Sequence, residues 1–298
     1  MVEAVPALRA LGRGARVAFC GQPRLGELLA GTGTVAEAVS FDGLGLELLF
    51  TREPAPALAA RLAAFDVVVS WFGARDGLYP ARLAALVPAA VVAAPVPPGA
   101  DAPAVWRHLL ATLDPLGPAA GVADAPLAVP PAWRARARRA LDAIGIDPGR
   151  PFAVLHPGAG GRDKLIAPAV FAAAVLSLAR EGRAQVLVHQ GPADALAAER
   201  LADLIGRPPR LIEPALPVLA GVLALAAGYL GGDSGVSHLA AAVGAPAVVV
   251  FPPAASIERW ASWSPTATNV PMADGVERAA QQAAEALRAA LGPAGATR

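Results

Sequence analysis

Short runs of β-branched and other apolar residues alternate with longer stretches rich in alanine and leucine along nearly the whole chain. That alternation predicts an α/β protein with parallel sheets. In the first half the apolar runs predict strands at Arg16–Cys20, Ala38–Phe41, Asp66–Trp71 and Ala90–Ala94. Helices are predicted near Val5–Leu11, Arg24–Ala30, Ala55–Ala64, Pro80–Leu86 and Ala104–Leu113. Proline and glycine then crowd Pro115–Pro131, which reads as a linker, and a basic helix follows at Ala132–Ile144. The second half is more regular, with strands at Phe152–His156, Gln185–His189, Arg210–Ile212, Gly228–Gly231 and Ala247–Phe251. Between these lie helices at Pro168–Glu181, Ala193–Ile205, Pro217–Ala226 and Val236–Val243. A last helix covers Gly275–Leu291, and the tail GPAGATR reads as frayed. The pattern divides into two Rossmann-like domains, residues 1–130 and 131–298.

Composition narrows the function classes. A chain of 298 residues that is 55% hydrophobic and 16% charged is not a disordered protein. Lys and Arg number 25 against 24 Asp and Glu, so no broad positive field exists for nucleic acid. The single cysteine, Cys20, excludes a disulfide framework and a Cys-rich zinc module. The N-terminus, MVEAVPALRALGRGARVAF, has scattered charges and no apolar core of signal-peptide length, which predicts a cytoplasmic protein. Mean hydropathy is +0.48, but alanine supplies much of it and buries little area per residue. The charge-free stretch Ala215–Gly232 is interrupted by Pro217 and several glycines, and Asp233, Ser234 and His238 follow it closely. It predicts a buried helix running into a buried strand, not a membrane span. Trp133–Arg139 carries four arginines, to be read as a solvated helix face or as a contact for anionic lipid.

The polar residues with chemical potential gather where strands of the second half end, which is where open α/β sheets bind ligands. His156 closes one strand and opens the loop HPGAGGRDK; His189 closes the next; Asp233-Ser234-Gly235 closes the fourth. In HPGAGGRDK the glycines, Gly160 among them, allow backbone N–H groups close to an anion, and Arg162 and Lys164 add charge. Lys164 is the only lysine in the chain. The loop is neither a Walker A motif nor G-x-G-x-x-G, and a glycine-rich surface turn is the plain alternative. The second element, GGDSGVSHLAAAVGAP, delivers Asp233 from a strand to a helix start at Ser234-Gly235, with His238 one turn further on. Free amides there suit a diphosphate, although a simple N-cap accounts for the same letters. The elbow G-x-S-x-G is absent, so Asp, Ser and His do not read as a hydrolase triad. GTGTVA at Gly31 follows a predicted helix and reads as a turn. Asp76 in WFGARDG reads as a turn residue, with acceptor contact as its alternative.

VLHPGAGGRDK, VHQGPAD and GYLGGDSGVSHLAAAVGAPAVVVFPP together resemble glycosyltransferase family 9, the ADP-heptose:lipopolysaccharide heptosyltransferases. The similarity is strong over residues 150–255, and the first half matches in layout. It implies a GT-B-like fold, two Rossmann-like domains facing a cleft, with the nucleotide-sugar donor on the C-terminal side and a saccharide or lipid-linked acceptor on the N-terminal side. It implies inverting transfer without metal or other cofactor, typically of heptose from an ADP-linked donor, by a cytoplasmic enzyme in peripheral contact with the inner membrane. Lys164 matches the lysine that meets the donor phosphates and sugar, and Asp233 the aspartate on the donor sugar. Ser234, Gly235 and Val236 match the helix start that holds the diphosphate. His238 matches the histidine beside it, and Glu199 the acidic residue on the ribose. The family's first strand and glycine-aspartate loop precede a helix reading P-x-L-R-A-L. Here Met1 stands almost directly before Pro6–Leu11. No residue therefore matches the base aspartate, and the N-terminal sheet is expected to lack a central strand. A non-catalytic nucleotide-sugar-binding protein is the alternative this departure raises. The family often has Trp-Pro after the phosphate lysine, where this chain has Leu165-Ile166-Ala167-Pro168.

Overall fold

The computed structural model describes residues 2–51, 56–99, 101–117, 124–182, 184–252 and 254–292. The chain forms two compact units, Glu3–Ala123 and Asp124–Arg298 with Met1–Val2. Part of the expected linker and nearly all of the GPAGATR tail lie outside the described residues.

The unit Glu3–Ala123 runs α1 (Val5–Leu11), β1 (Ala18–Gly21), α2 (Pro23–Gly31), β2 (Glu37–Ser40), α3 (Leu48–Thr51), α4 (Pro56–Leu62), β3 (Val67–Ser70), α5 (Tyr79–Ala84), β4 (Ala89–Val92) and α6 (Val105–Ala111). Its described strands form two separate parallel ladders, β1 with β2 and β3 with β4. Among the described residues no strand joins the two ladders. Leu49, Leu58, Leu62, Tyr79 and Leu83 form the core on which Cys20, Val68 and Val92 of three strands also pack. Phe50 and Phe72 lie against the Tyr79 ring at 4.9 and 5.7 Å between centroids. Asp76 does what a turn residue does: its Oδ1 accepts the N–H groups of Leu78 (2.9 Å) and Tyr79 (2.8 Å) where α5 starts. Those two bonds hold its carboxyl below the usual range.

The second unit continues with α7 (Pro131–Ala143), β5 (Phe152–His156), α8 (Pro168–Arg180), β6 (Gln185–Gln190), α9 (Ala195–Ile205), β7 (Arg210–Ile212), α10 (Leu216–Leu225), β8 (Gly228–Gly232), α11 (Gly235–Ala242), β9 (Ala247–Phe251), α12 (Ala254–Trp260), β10 (Ala267–Pro271) and α13 (Val276–Leu291). All six strands are parallel, in the spatial order β7-β6-β5-β8-β9-β10. This is the Rossmann order, and its switch point falls between β5 and β8. Strand alternation sends Leu155, Val188, Leu230 and Val248 into a core with Phe171, Ala283 and other residues of α8 and α13. Helix α7 buries Trp133, Ala137 and Leu141 and leaves Arg136, Arg138 and Arg139 exposed, while Arg134 donates to the Ala224 carbonyl oxygen at 3.3 Å. Gly221 permits α10 to approach α7 closely: a Cβ there would lie 2.6 Å from the Trp133 carbonyl oxygen and 2.8 Å from the Ala137 Cβ.

The stretch Ala215–Gly232 is helix α10 followed by the buried strand β8. Among the described residues, no helix is long and apolar enough to cross a membrane. Three elements escaped the sequence pattern. Helix α3 is a single turn, α12 opens on a proline-rich approach, and β10 (ATNVP) combines an edge position with Thr, Asn and a terminal Pro, residues that weaken a strand signal.

Candidate functional site

The switch point places the β5–α8 loop and the β8–α11 turn side by side. The register pairs His156 with Gly231, so the residues following β5 and β8 emerge at one level. Gly232 lacks a side chain where the loop crosses it: a Cβ there would meet Ile166 Cγ1 at 3.2 Å, the Lys164 carbonyl oxygen at 3.7 Å and the Gly158 carbonyl oxygen at 3.9 Å. The next residue, Asp233, is buried, yet Lys164 Nζ reaches its Oδ2 at 2.8 Å. His238 Nε2 stands 3.6 Å from the other carboxylate oxygen, Oδ1. Burial would raise the Asp233 carboxyl, but hydrogen bonds from His238 and Lys164 and the lysine charge outweigh it and hold the group below the usual carboxylate range. Asp233 is thus ionised at neutral pH.

The turn itself is tied down by hydroxyls. Ser234 is the N-cap of α11, its Oγ accepting the Ser237 N–H. Ser237 Oγ donates to the Gly232 carbonyl oxygen and lies 2.8 Å from the buried Tyr229 hydroxyl. Among the described residues nothing lies within 4 Å of the place a Gly235 Cβ would occupy, so the helix start is open to them on that side. An anion there would meet the positive end of the α11 dipole. Trp260 of α12 adds an aromatic wall, with Lys164 Nζ 5.1 Å from its ring centroid and the His238 ring 6.4 Å away, edge-on.

Behind the loop lies a second polar cluster. His156 Nδ1 and His189 Nδ1 are 3.0 Å apart, both rings buried, and Asp194 Oδ2 is 3.8 Å from His156 Nδ1. Burial, reinforced by the neighbouring His156, lowers His189 to about 3. Burial also lowers His156, against the pull of the Asp194 charge.

The structure therefore brings together Lys164, Asp233, Ser234, Gly235, Val236 and His238. Gly160 is exposed on the same loop, with no described atom within 4 Å of its Cβ position. Arg162 stands in the single turn Arg162–Lys164, and its side chain lies outside the described residues. Glu199 of α9 pairs with Arg207, in the turn after that helix, and with Arg210 of the edge strand β7. No described contact links it to Lys164 or Asp233. Trp260, Asp194 and Ser237 were missed. Asp194 carries the one legible signal, an acid three residues past Gly191 at a helix start. Among the described residues no group of three or more His, Cys, Asp or Glu could hold a metal ion.

Residues 85–287 match the model of glycosyltransferase family 9 (heptosyltransferase). No curated protein matches the chain. Among solved structures, the glycosyltransferase family 9 protein of Veillonella parvula aligns with a TM-score of 0.77 at 14% identity, covering 97% of this chain and 93% of that one. The E. coli ADP-heptose lipopolysaccharide heptosyltransferase II aligns at 0.71 and 19% identity, covering 98% and 95%. E. coli heptosyltransferase WaaC with ADP aligns at 0.64 and 16% identity, covering 96% of each. At these identities the likeness is one of fold, and it bears out the α/β, GT-B-like expectation.

Proposed function

Since the chain belongs to glycosyltransferase family 9 and is accordingly a glycosyltransferase, we propose that it moves a sugar, heptose first among the candidates, from an ADP-linked donor to a lipopolysaccharide-type or other saccharide acceptor, with inversion and without a metal. The observation that carries this reading is the convergence of the Lys164 ammonium, the Asp233 carboxylate and the His238 imidazole at the open start of α11. Its support from relatives is that two of the similar structures are an ADP-heptose heptosyltransferase and a heptosyltransferase with ADP.

Glycosyl transfer leaves a diphosphate with new negative charge, while the sugar passes through an oxocarbenium-like state. The α11 amides and Lys164 face the developing anion, so they stabilise the transition state more than the bound donor. Asp233, kept ionised, takes the sugar side of the site and orients Lys164 and His238. The Asp124–Arg298 unit holds the donor, and the Glu3–Ala123 unit the acceptor. No described residue is assigned to the base that accepts the acceptor's hydroxyl proton. The enzyme acts in the cytoplasm, in peripheral contact with the inner membrane.

The test is release of ADP from ADP-heptose in EDTA, in the presence of a heptose-deficient lipopolysaccharide acceptor. Acceptor-dependent release with formation of the glycosylated product supports the reading. Release that needs added divalent metal, or no release with any ADP-sugar, overturns it.

A further inference from the structure

The His156–His189–Asp194 cluster has no part in the reaction as derived, yet it occupies the space beneath the loop that does. Asp194 is 9% exposed and precedes α9, but its carboxylate does not cap that helix. It turns back instead, Oδ2 accepting the Gly191 N–H at 2.8 Å. Two glycine backbones close on this one carboxylate. A Cβ on Gly191 would lie 2.7 Å from Oδ2, and a Cβ on Gly158 would fall directly onto the carboxylate group. Gly158 in turn presents its carbonyl oxygen to Gly232, the residue before Asp233. The loop is therefore layered between a buried carboxylate on one side and the end of β8 on the other.

The histidines complete the layer. β5 and β6 are neighbours, with Leu155 opposite Val188, so His156 and His189 meet across the two strand ends. At 3.0 Å between Nδ1 atoms, one ring donates its N–H and the other accepts on its lone pair. Two fully protonated rings would set two N–H groups against each other and break the contact. A neutral pair beside the Asp194 carboxyl group satisfies the geometry. We propose that Asp194 is a positioning residue: with His156 and His189 it clamps the loop carrying Lys164 against the strand end carrying Asp233. The clamp fixes the spacing of the two charged groups without touching substrate. Its consequence for donor affinity rests on the donor-binding reading above; its consequence for the loop does not.

The experiment measures amide hydrogen exchange and ADP affinity in the wild-type chain, Asp194→Ala, Asp194→Asn and Gly158→Ala. Asp194→Ala, which removes the carboxylate packed under Gly158 and its bond from Gly191, and Gly158→Ala, which drives a methyl group into that carboxylate, should each speed exchange across residues 158–164 about ten-fold. Exchange in β9 and α13 should stay as in the wild type, which separates loop release from general loosening. ADP binding should weaken about ten-fold in the same two variants. Asp194→Asn keeps an oxygen for the Gly191 N–H and should restore most of both. Wild-type exchange rates across 158–164 in both Asp194→Ala and Gly158→Ala would overturn the clamp. So would an undiminished ADP affinity in a wild-type background that binds ADP. Failure of the wild-type chain to bind ADP counts against the donor reading, while the exchange rates, which need no nucleotide, still decide the clamp.

Discussion

Removing the Lys164 ammonium would leave the buried Asp233 carboxylate, 3% exposed, without its cation and with His238, at 3.6 Å, still beside it. At the observed 2.8 Å separation, the gross attraction in an effective dielectric near 20 is about 6 kcal/mol. Two effects reduce it. Burying the carboxylate costs several kcal/mol, and Lys164 is one-third exposed, so solvent screens part of its charge. A net coupling of about 1–3 kcal/mol remains, the range for a hydrogen bond to a charged group. The assay is urea unfolding of the wild type, Lys164→Ala, Asp233→Asn and the double variant, read as a double-mutant cycle. Lys164→Ala should be the costlier single change because it removes the cation beside a buried carboxylate. The double variant should be more stable than the two losses summed. The folded Asp233 carboxyl titrates below its ordinary 3.8. Its contribution is therefore complete above that value and is lost only as pH falls through the lower folded one. Titration of Asp233 should then change nothing in the coupling between about pH 7 and about pH 5. Additivity within about 0.5 kcal/mol would refute the ion pair as an energetic unit.

Other expectations follow from the same coordinates. His189 titrates near 3 in the folded chain against 6.5 unperturbed, so the unfolded chain takes up the proton first as pH falls. Stability should decline below about pH 6.5 by roughly 1.4 kcal/mol per pH unit from this group, and His189→Gln should flatten that slope in urea titrations; an unchanged slope would mean His189 protonates in the fold. Gly221→Ala forces a methyl group against the Trp133 carbonyl oxygen and Ala137, and should cost about 1–3 kcal/mol, seen as a lowered Tm. A Tm equal to the wild type would show that α7 and α10 are not in close packing there. Asp233→Asn should weaken an ADP-sugar more than ADP itself in calorimetry, because the carboxylate is assigned to the sugar; equal losses would remove it from that role.

Most of the second unit was legible because its signals are local. A strand that ends on His156 or Gly232 and continues into glycine or a Ser cap announces both the sheet edge and the helix start within a few residues. Lys164 stood out by being alone among arginines. What the sequence hid were partners distant along the chain. Trp260 meets Lys164 only because α12 folds back over the site, and Asp194 matters through a carboxylate turned away from its own helix. Glu199 rests on the resemblance alone, and in the fold it pairs with Arg207 and Arg210. In the first unit each ladder was visible as an apolar run, while the division into two ladders is a tertiary property that no run reveals by itself.

The most direct test of the account is calorimetric titration of the 298-residue chain with ADP, ADP-heptose and a UDP-sugar in EDTA, alongside Lys164→Ala. The account predicts preference for the adenine-linked sugar, binding that survives EDTA, and a loss of about 1–3 kcal/mol in the variant. A folded chain that binds none of the three, or a Lys164→Ala variant that binds ADP as tightly as the wild type, would contradict it.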